Sequence, residues 1–254
     1  MRNLLAVFLS SLLAGCCSPG DRSTVCRAAP SAPAQSLGVV FVANGSGDFH
    51  TVSTNLSRVI AETNTPLHVE TVCWSLGFGR YLSDHVSHGN HLVHGRRLAA
   101  QVAAYRQAYP DRRIFMIGHS AGTAVVLAAA EMLPPDSVDR IVLLASSVCV
   151  AYDLRPALRA ARYGIDTFHS TEDHLILGLG MRIFGTAEGQ CTTAAGQRGF
   201  MPVIACPADA ALYNKLRQHQ WDPAVQWSGN DGGHYGTNRA GFLRAYVLPL
   251  LTCN

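Results

Sequence analysis

Residues Arg113–Gly122 read RIFMIGHSAG. The first half is a short continuous apolar run, as expected of a strand buried on both faces. The second half, Gly118-His119-Ser120-Ala121-Gly122, interrupts that run with small residues. From Ala121 to Leu133 a small-residue helix follows, stopped by Pro134-Pro135. Strand, sharp turn and helix put the Ser120 hydroxyl at a strand's carboxyl end, in the positive field of a helix N-terminus. Glycines two residues before and two after let strand and helix approach closely. The bare pattern G-x-S-x-G is weak, and an N-capping serine in a tight turn has the same spelling. The flanking strand and helix are what make Ser120 a candidate nucleophile.

The pattern repeats on either side of this stretch. Leu37–Ala43 (LGVVFVA) and Leu67–Cys73 read as strands upstream. Leu92–Tyr109 carries Leu98, Val102 and Tyr105 at helical spacing and stops before Pro110. The polar Gly89-Asn90 pair is expected to keep that helix from starting earlier. Downstream, Val138–Ala145 (VDRIVLLA) and Tyr163–Phe168 read as strands, and Gly241–Leu250 as a closing helix. Apolar strands alternating with helices imply an α/β class. The expected architecture is doubly wound, with a mostly parallel sheet and helices on both faces. Ligands in such sheets meet the carboxyl ends of the strands, so chemistry is expected after Ala43, Gly118, Ala145 and Phe168.

Composition agrees with one large domain. The 254 residues are 48% hydrophobic and 15% charged, which provides a large core and excludes disorder. Twenty Lys+Arg against 17 Asp+Glu give +3 with no long basic run, so a nucleic-acid partner is not expected. At the N-terminus Arg2 precedes the apolar run Leu4–Leu13, which is too short for a bilayer span. The following Leu13-Ala14-Gly15-Cys16 resembles a bacterial lipobox, with an ordinary secretory signal as the alternative. The expected organisation is a signal peptide over 1–15, a lipidated Cys16 with a flexible tether over 16–36, and the α/β domain over 37–254. That places the protein in the cell envelope, with its membrane contact through an N-terminal lipid. Of the eight cysteines, Cys191 and Cys206 flank a Gly-rich stretch and form the preferred bridge, and no CxxC suggests a zinc ribbon.

With Gly118–Gly122 set between strand and helix, the chain resembles the α/β-hydrolase superfamily, in particular small bacterial esterase-like or lipase-like members. The resemblance spans about residues 37–254. It implies a triad in the order serine, acid, histidine. The base then comes from His174, His219 or His234. His234 is preferred because it lies in the loop Gly229–Gly236 before the last helix, whereas His219 in LRQHQ reads as a solvated helix face. The acid is expected in a Ser-x-x-Asp turn after a late strand, which Ser170 and Asp173 match, with Asp153 and Glu172 as alternatives. The resemblance further implies an oxyanion hole from the N–H of Ala121 and one from Asn44-Gly45-Ser46-Gly47-Asp48, where Ser46 leads Gly45 and Gly47. Asn44 stands where such enzymes frequently carry His.

The implied reaction is hydrolysis of a small-molecule carboxylic ester through an acyl-enzyme, with no metal or organic cofactor. The same triad also serves thioesterases, peptidases and acyltransferases, and a non-catalytic binding lipoprotein on this fold is the alternative from another class. Other features are weaker. His85, His88, His91 and His94 beside Asp84 could hold a metal but are better read as a polar helix start. His119 is expected to be structural. Leu175–Phe184 reads as core or acyl pocket, and Trp221 and Trp227 as pocket walls or packing.

Overall fold

Why Ser120 stands where it does follows from the order of the strands. The computed structural model describes residues 36–174, 186–187 and 193–252. Its elements are β1 (Gly38–Ala43), α1 (Thr51–Glu62), β2 (Leu67–Thr71), α2 (Tyr81–Val86), α3 (His88–Ala108), β3 (Arg113–His119), α4 (Gly122–Glu131), β4 (Arg140–Leu144), α5 (Arg155–Ala160), β5 (Ile165–His169), α6 (Ala195–Arg198), α7 (Pro207–Tyr213) and β6 (Leu216–Gln220). A last helical run, α8, joins Ala240–Phe242, a π-helical turn at Leu243–Val247 and Leu248–Thr252. All six strands pair in parallel in the order β2-β1-β3-β4-β5-β6.

The chain leaves β1 for β2 on one side and returns to β3 on the other, so the crevice between the carboxyl ends of β1 and β3 is the topological switch point. The loop after β1 and the turn after β3 meet there. Period-two alternation divides the buried strand residues between two layers. Val39, Phe41, Ile114, Met116, Ile141 and Leu143 pack with Leu98, Val102 and Tyr105 of α3 and with α4. Val40, Val42, Phe115, Ile117, Val142 and Leu144 pack with Val52, Leu56 and Val59 of α1 and with Phe242, Leu243 and Val247 of α8. Each such branched side chain contributes about 1.5–3 kcal/mol on full burial. The expected doubly wound α/β class is what the chain adopts.

Three details differ from the sequence reading. Gly89 and Asn90 do not interrupt a helix: α3 starts at His88, and the Asn90 amide donates to the Trp74 carbonyl at 2.7 Å, a tertiary contact that local pattern does not announce. LRQHQ is not a helix face but the edge strand β6, in register with β5 through Phe168↔His219. Of its polar residues, Arg217 and His219 are satisfied by Asp166 of β5, which accepts from Arg217 Nε at 2.9 Å, bonds His219 Nε2 at 2.8 Å and also accepts from Arg140 of β4 at 2.6 Å, while Gln218 pairs with the Phe200 backbone. Cys206 does not bridge to Cys191. It is an exposed free thiol at the start of α7. Cys191 lies outside the described residues, while Cys73 and Cys149 are disulfide-bonded. The expected leader, Cys16 and the tether up to residue 35 also lie outside the described residues, as does Leu175–Phe184. Ser36, the last residue of the expected tether, is already buried and donates to the Gly38 carbonyl at 2.6 Å. Among the described residues, no helix is long and apolar enough to cross a membrane.

Candidate active site

Ser120 sits at the apex between β3 and α4 with φ 52°, the left-handed region, which costs a non-glycine residue on the order of 1–3 kcal/mol. Several contacts hold it there. Its N–H donates to the Leu144 carbonyl at 3.0 Å, and its own carbonyl accepts the Thr123 hydroxyl at 2.5 Å and the Thr123 N–H at 3.1 Å. The flanking glycines are required by close approach. A Cβ on Gly118 would lie 2.7 Å from Thr123 Cα, and one on Gly122 would lie 2.2 Å from the Ala43 carbonyl. Gly118 therefore lets strand meet helix, whereas Gly122 lets α4 meet the end of β1.

His234 reaches this hydroxyl from the Gly-rich loop before α8. Its Nε2 lies 2.9 Å from Ser120 Oγ, and its Nδ1 lies 2.6 Å from Asp173 Oδ2. All three residues are buried. A carboxylate only accepts, so Nδ1 carries the proton toward Asp173 and Nε2 is left to accept from Ser120. Asp173 follows β5 in a turn where the Ser170 hydroxyl accepts the Glu172 N–H at 3.1 Å and the Ser170 carbonyl accepts the Asp173 N–H at 3.3 Å.

The alternatives are occupied elsewhere. Asp153 pairs with Arg155 at 2.8 Å, and Arg155 beside it holds its carboxyl below the usual range. Glu172 is exposed beside His174 at 3.6 Å, and His219 bonds Asp166. His119 is buried and donates Nε2–H to the His234 carbonyl at 3.2 Å. Burial above all, with the neighbouring His234, pushes its pKa down to about 3, so the ring is neutral and braces the histidine loop.

The loop after β1 arrives on the other side of Ser120. A Cβ on Gly45 would lie 3.3 Å from Ser120 Cβ and 2.8 Å from His119 Nδ1, so only glycine fits. Of the loop's expected donors, Gly47 is excluded, because its N–H is donated to Asp84 Oδ2 at 2.8 Å. Among the described residues, the N–H groups of Gly45, Ser46 and Ala121 make no hydrogen bond. The sequence reading missed how this loop is held. The Asn44 side chain accepts from the N–H groups of Val52 and Ser53, each at 3.1 Å, and so caps α1, while its carbonyl accepts Trp74 Nε1–H at 2.8 Å. No local pattern announces this contact: the N-cap position of α1 is His50 rather than Asn44.

Of the histidine series, His91 is buried against Trp74 and donates Nε2–H to the Asp84 carbonyl at 2.7 Å. Burial pushes its pKa down to about 4, although the Asp84 carbonyl opposes the shift. Among the described residues, no group of three or more His, Cys, Asp or Glu could hold a metal ion. A cavity of about 220 Å³ lies behind Asp173, lined by Phe168, His169, Trp221 and Tyr246, and its lining does not include Ser120. Trp221 is thus a cavity wall, while Trp227 is exposed.

Residues 80–173 match the family model described as the alpha/beta hydrolase fold. This chain has the α/β-hydrolase fold. The match covers β3, the elbow at Ser120 and the turn that carries Asp173. The loop with His234 lies outside it. In this α/β-hydrolase fold, the six-stranded sheet therefore brings a matched elbow to an unmatched histidine. No curated protein matches the chain in sequence. Among solved structures, esterase PE8 is 15% identical over 81% of this chain and 88% of its own, with TM-score 0.49. A predicted CIB-like hydrolase from Thermoplasma acidophilum is 16% identical over 85% of this chain and 86% of its own, with TM-score 0.47. The catalytic core domain of acetyl xylan esterase from Trichoderma reesei is 15% identical over 83% of this chain and 98% of its own, with TM-score 0.42. Likenesses this distant do not carry an activity across.

Proposed function

We propose that this protein is a serine hydrolase of carboxylic esters. The observation that carries the reading is the relay Ser120 Oγ to His234 Nε2 at 2.9 Å and His234 Nδ1 to Asp173 Oδ2 at 2.6 Å, buried and set on a strained elbow. His234 takes the hydroxyl proton as Ser120 Oγ attacks the acyl carbon. Asp173 keeps the imidazole in the productive tautomer and stabilises its cation. The oxyanion is met by the N–H of Ala121 and by the loop after β1, through Ser46 or its neighbour Gly45. Loss of one such donor raises the barrier by about 3 kcal/mol. His234 then protonates the leaving alcohol as the C–O bond breaks. Water repeats the sequence on the acyl-enzyme and returns the proton to Ser120.

An apolar substrate is favoured by the rim of the site. Phe49 stacks on Tyr81 with centroids 5.3 Å apart and leans on Phe78 at 5.0 Å, while Tyr235 meets the His234 ring edge-on at 5.1 Å. Phe78, Tyr81 and Tyr235 are exposed. The test is labelling by a fluorophosphonate together with hydrolysis of a panel of p-nitrophenyl esters. Ser120→Ala should lose both while remaining folded, and undiminished hydrolysis by the purified variant would sink the assignment. We also propose, from Leu13-Ala14-Gly15-Cys16 after a short apolar run, that Cys16 carries lipid. Intact mass spectrometry of protein from the native host should show acylated Cys16 as the first residue, and an unmodified Cys16 would refute it.

A further inference from the structure

We infer that Asp84 is a positioning residue that sets the oxyanion loop through the N–H of Gly47, an inference that rests on the hydrolase reading above. Asp84 is fully buried on α2. Its Oδ2 accepts the Gly47 N–H at 2.8 Å and the Ser75 hydroxyl at 2.6 Å, and its Oδ1 accepts the Leu76 N–H at 2.7 Å. Its backbone carbonyl accepts His91 Nε2–H at 2.7 Å. One residue thereby joins the loop after β1, the segment after β2 and the first turn of α3. Among the described ion pairs none includes Asp84, so this carboxylate is satisfied by backbone N–H groups and a hydroxyl rather than by a cation. Burying a carboxylate costs several kcal/mol unless its hydrogen bonds are good, and charge-assisted bonds to N–H groups are the strong ones.

What those bonds fix is the direction of a peptide plane beside the nucleophile. With the Gly47 N–H held by Asp84, and Asn44 held by α1 and Trp74, the loop is pinned at both ends. The only peptide N–H groups left between the pins are those of Gly45 and Ser46. A Cβ on Gly45 would lie 3.3 Å from Ser120 Cβ, so this stretch of the loop runs directly beside the nucleophile. Without the acceptor, the buried Gly47 N–H must find another partner, and the plane of the neighbouring Ser46 peptide turns with it. The developing oxyanion then loses a donor already aimed at it, an effect felt in the transition state and not in the bound ester.

The experiment compares wild type with two variants in steady-state hydrolysis of a p-nitrophenyl ester and in fluorophosphonate labelling. Asp84→Ala removes the acceptor. The second variant carries glycolic acid at position 47, introduced by nonsense suppression, which replaces the Gly47 N–H with an ester oxygen and leaves Asp84 in place. Both should lose kcat by on the order of 10²-fold, bounded above by the full loss of one oxyanion donor. KM should stay within about threefold, and the shape of the kcat/KM pH profile should not move. A merely structural role would lower the melting temperature without that split. If Asp84→Ala does not fold, the position-47 variant alone decides. A folded variant with kcat within about threefold of wild type, or a loss confined to KM, overturns the inference and leaves the hydrolase reading standing. Wild type that neither hydrolyses nor labels overturns both.

Discussion

Three carboxylates, Asp153, Glu172 and Asp173, compete for one role on the sequence, and their surroundings separate them. Asp173 alone meets an imidazole that also meets a serine hydroxyl. Asp153 is neutralised by Arg155, and Glu172 turns outward beside His174. Asp173→Asn should therefore lower kcat by about 10⁴, because the amide favours the wrong tautomer of His234. Asp153→Asn and Glu172→Gln should each stay within about tenfold, since neither touches the relay. Steady-state kinetics on one ester checks all three. A large loss in Asp153→Asn beside a near-normal Asp173→Asn would mean that another strand end supplies the acid.

Among the elements, β6 shows how a polar segment becomes part of a sheet. LRQHQ has no apolar run to drive burial, but Asp166 on β5 gathers Arg140, Arg217 and His219 around one fully buried carboxylate. Burial by itself would raise that carboxyl. The hydrogen bonds from His219, Arg217 and Arg140 outweigh it and hold the group well below the usual range. Asp166→Asn leaves the buried Arg140 without its counter-charge and should destabilise the fold by about 3–5 kcal/mol in urea unfolding. A carboxyl whose folded pKa is depressed stabilises above its unfolded value, near 4, and loses that contribution as pH falls toward the folded value. The gap between wild type and Asp166→Asn should therefore be full at pH 7 and narrow below about pH 4. A gap that stays constant down to pH 2 would rule out the ionic contribution.

Over the whole molecule, histidines buried as neutral rings add to the acid sensitivity of the fold. His119 is held down to about 3 and His91 to about 4, in both cases chiefly by burial. Unfolded, each regains a pKa near 6.5, so below that pH the unfolded chain binds more protons and stability falls. The loss begins near pH 6.5 and continues until the folded values are reached. Between pH 7 and 5 each ring should cost the fold about 2 kcal/mol, or about 4 kcal/mol together. His94 and His169 are shifted in the same direction and add to the trend. Urea midpoints across that range check it. His91→Gln should reduce the slope below pH 6 by up to about 1.4 kcal/mol per pH unit, and an unchanged slope would show that this ring is not held neutral.

What the sequence determined by itself was whatever is written in short-range pattern. Continuous apolar runs bounded by turns identify β1, β3 and β4, because a strand buried on both faces favours apolar residues, whereas β5 (IDTFH) carries the buried polar residues Asp166 and Thr167. The small residues around Ser120 mark the elbow, because a strand turning directly into a helix excludes side chains at Gly118 and Gly122. His234 and Asp173 were legible as positions in loops, and only with the resemblance to guide the order of the triad. Tertiary structure decided what depends on partners far along the chain. Polar β6 is a strand because Asp166 lies across from it, 51 residues from Arg217. Gly47 is not a free donor because Asp84 takes its N–H from 37 residues away. Asn44 works as a cap because α1 starts above it. Hydrogen bonds of that range leave no period in the sequence. Their partners meet only once the sheet has brought the strand ends together.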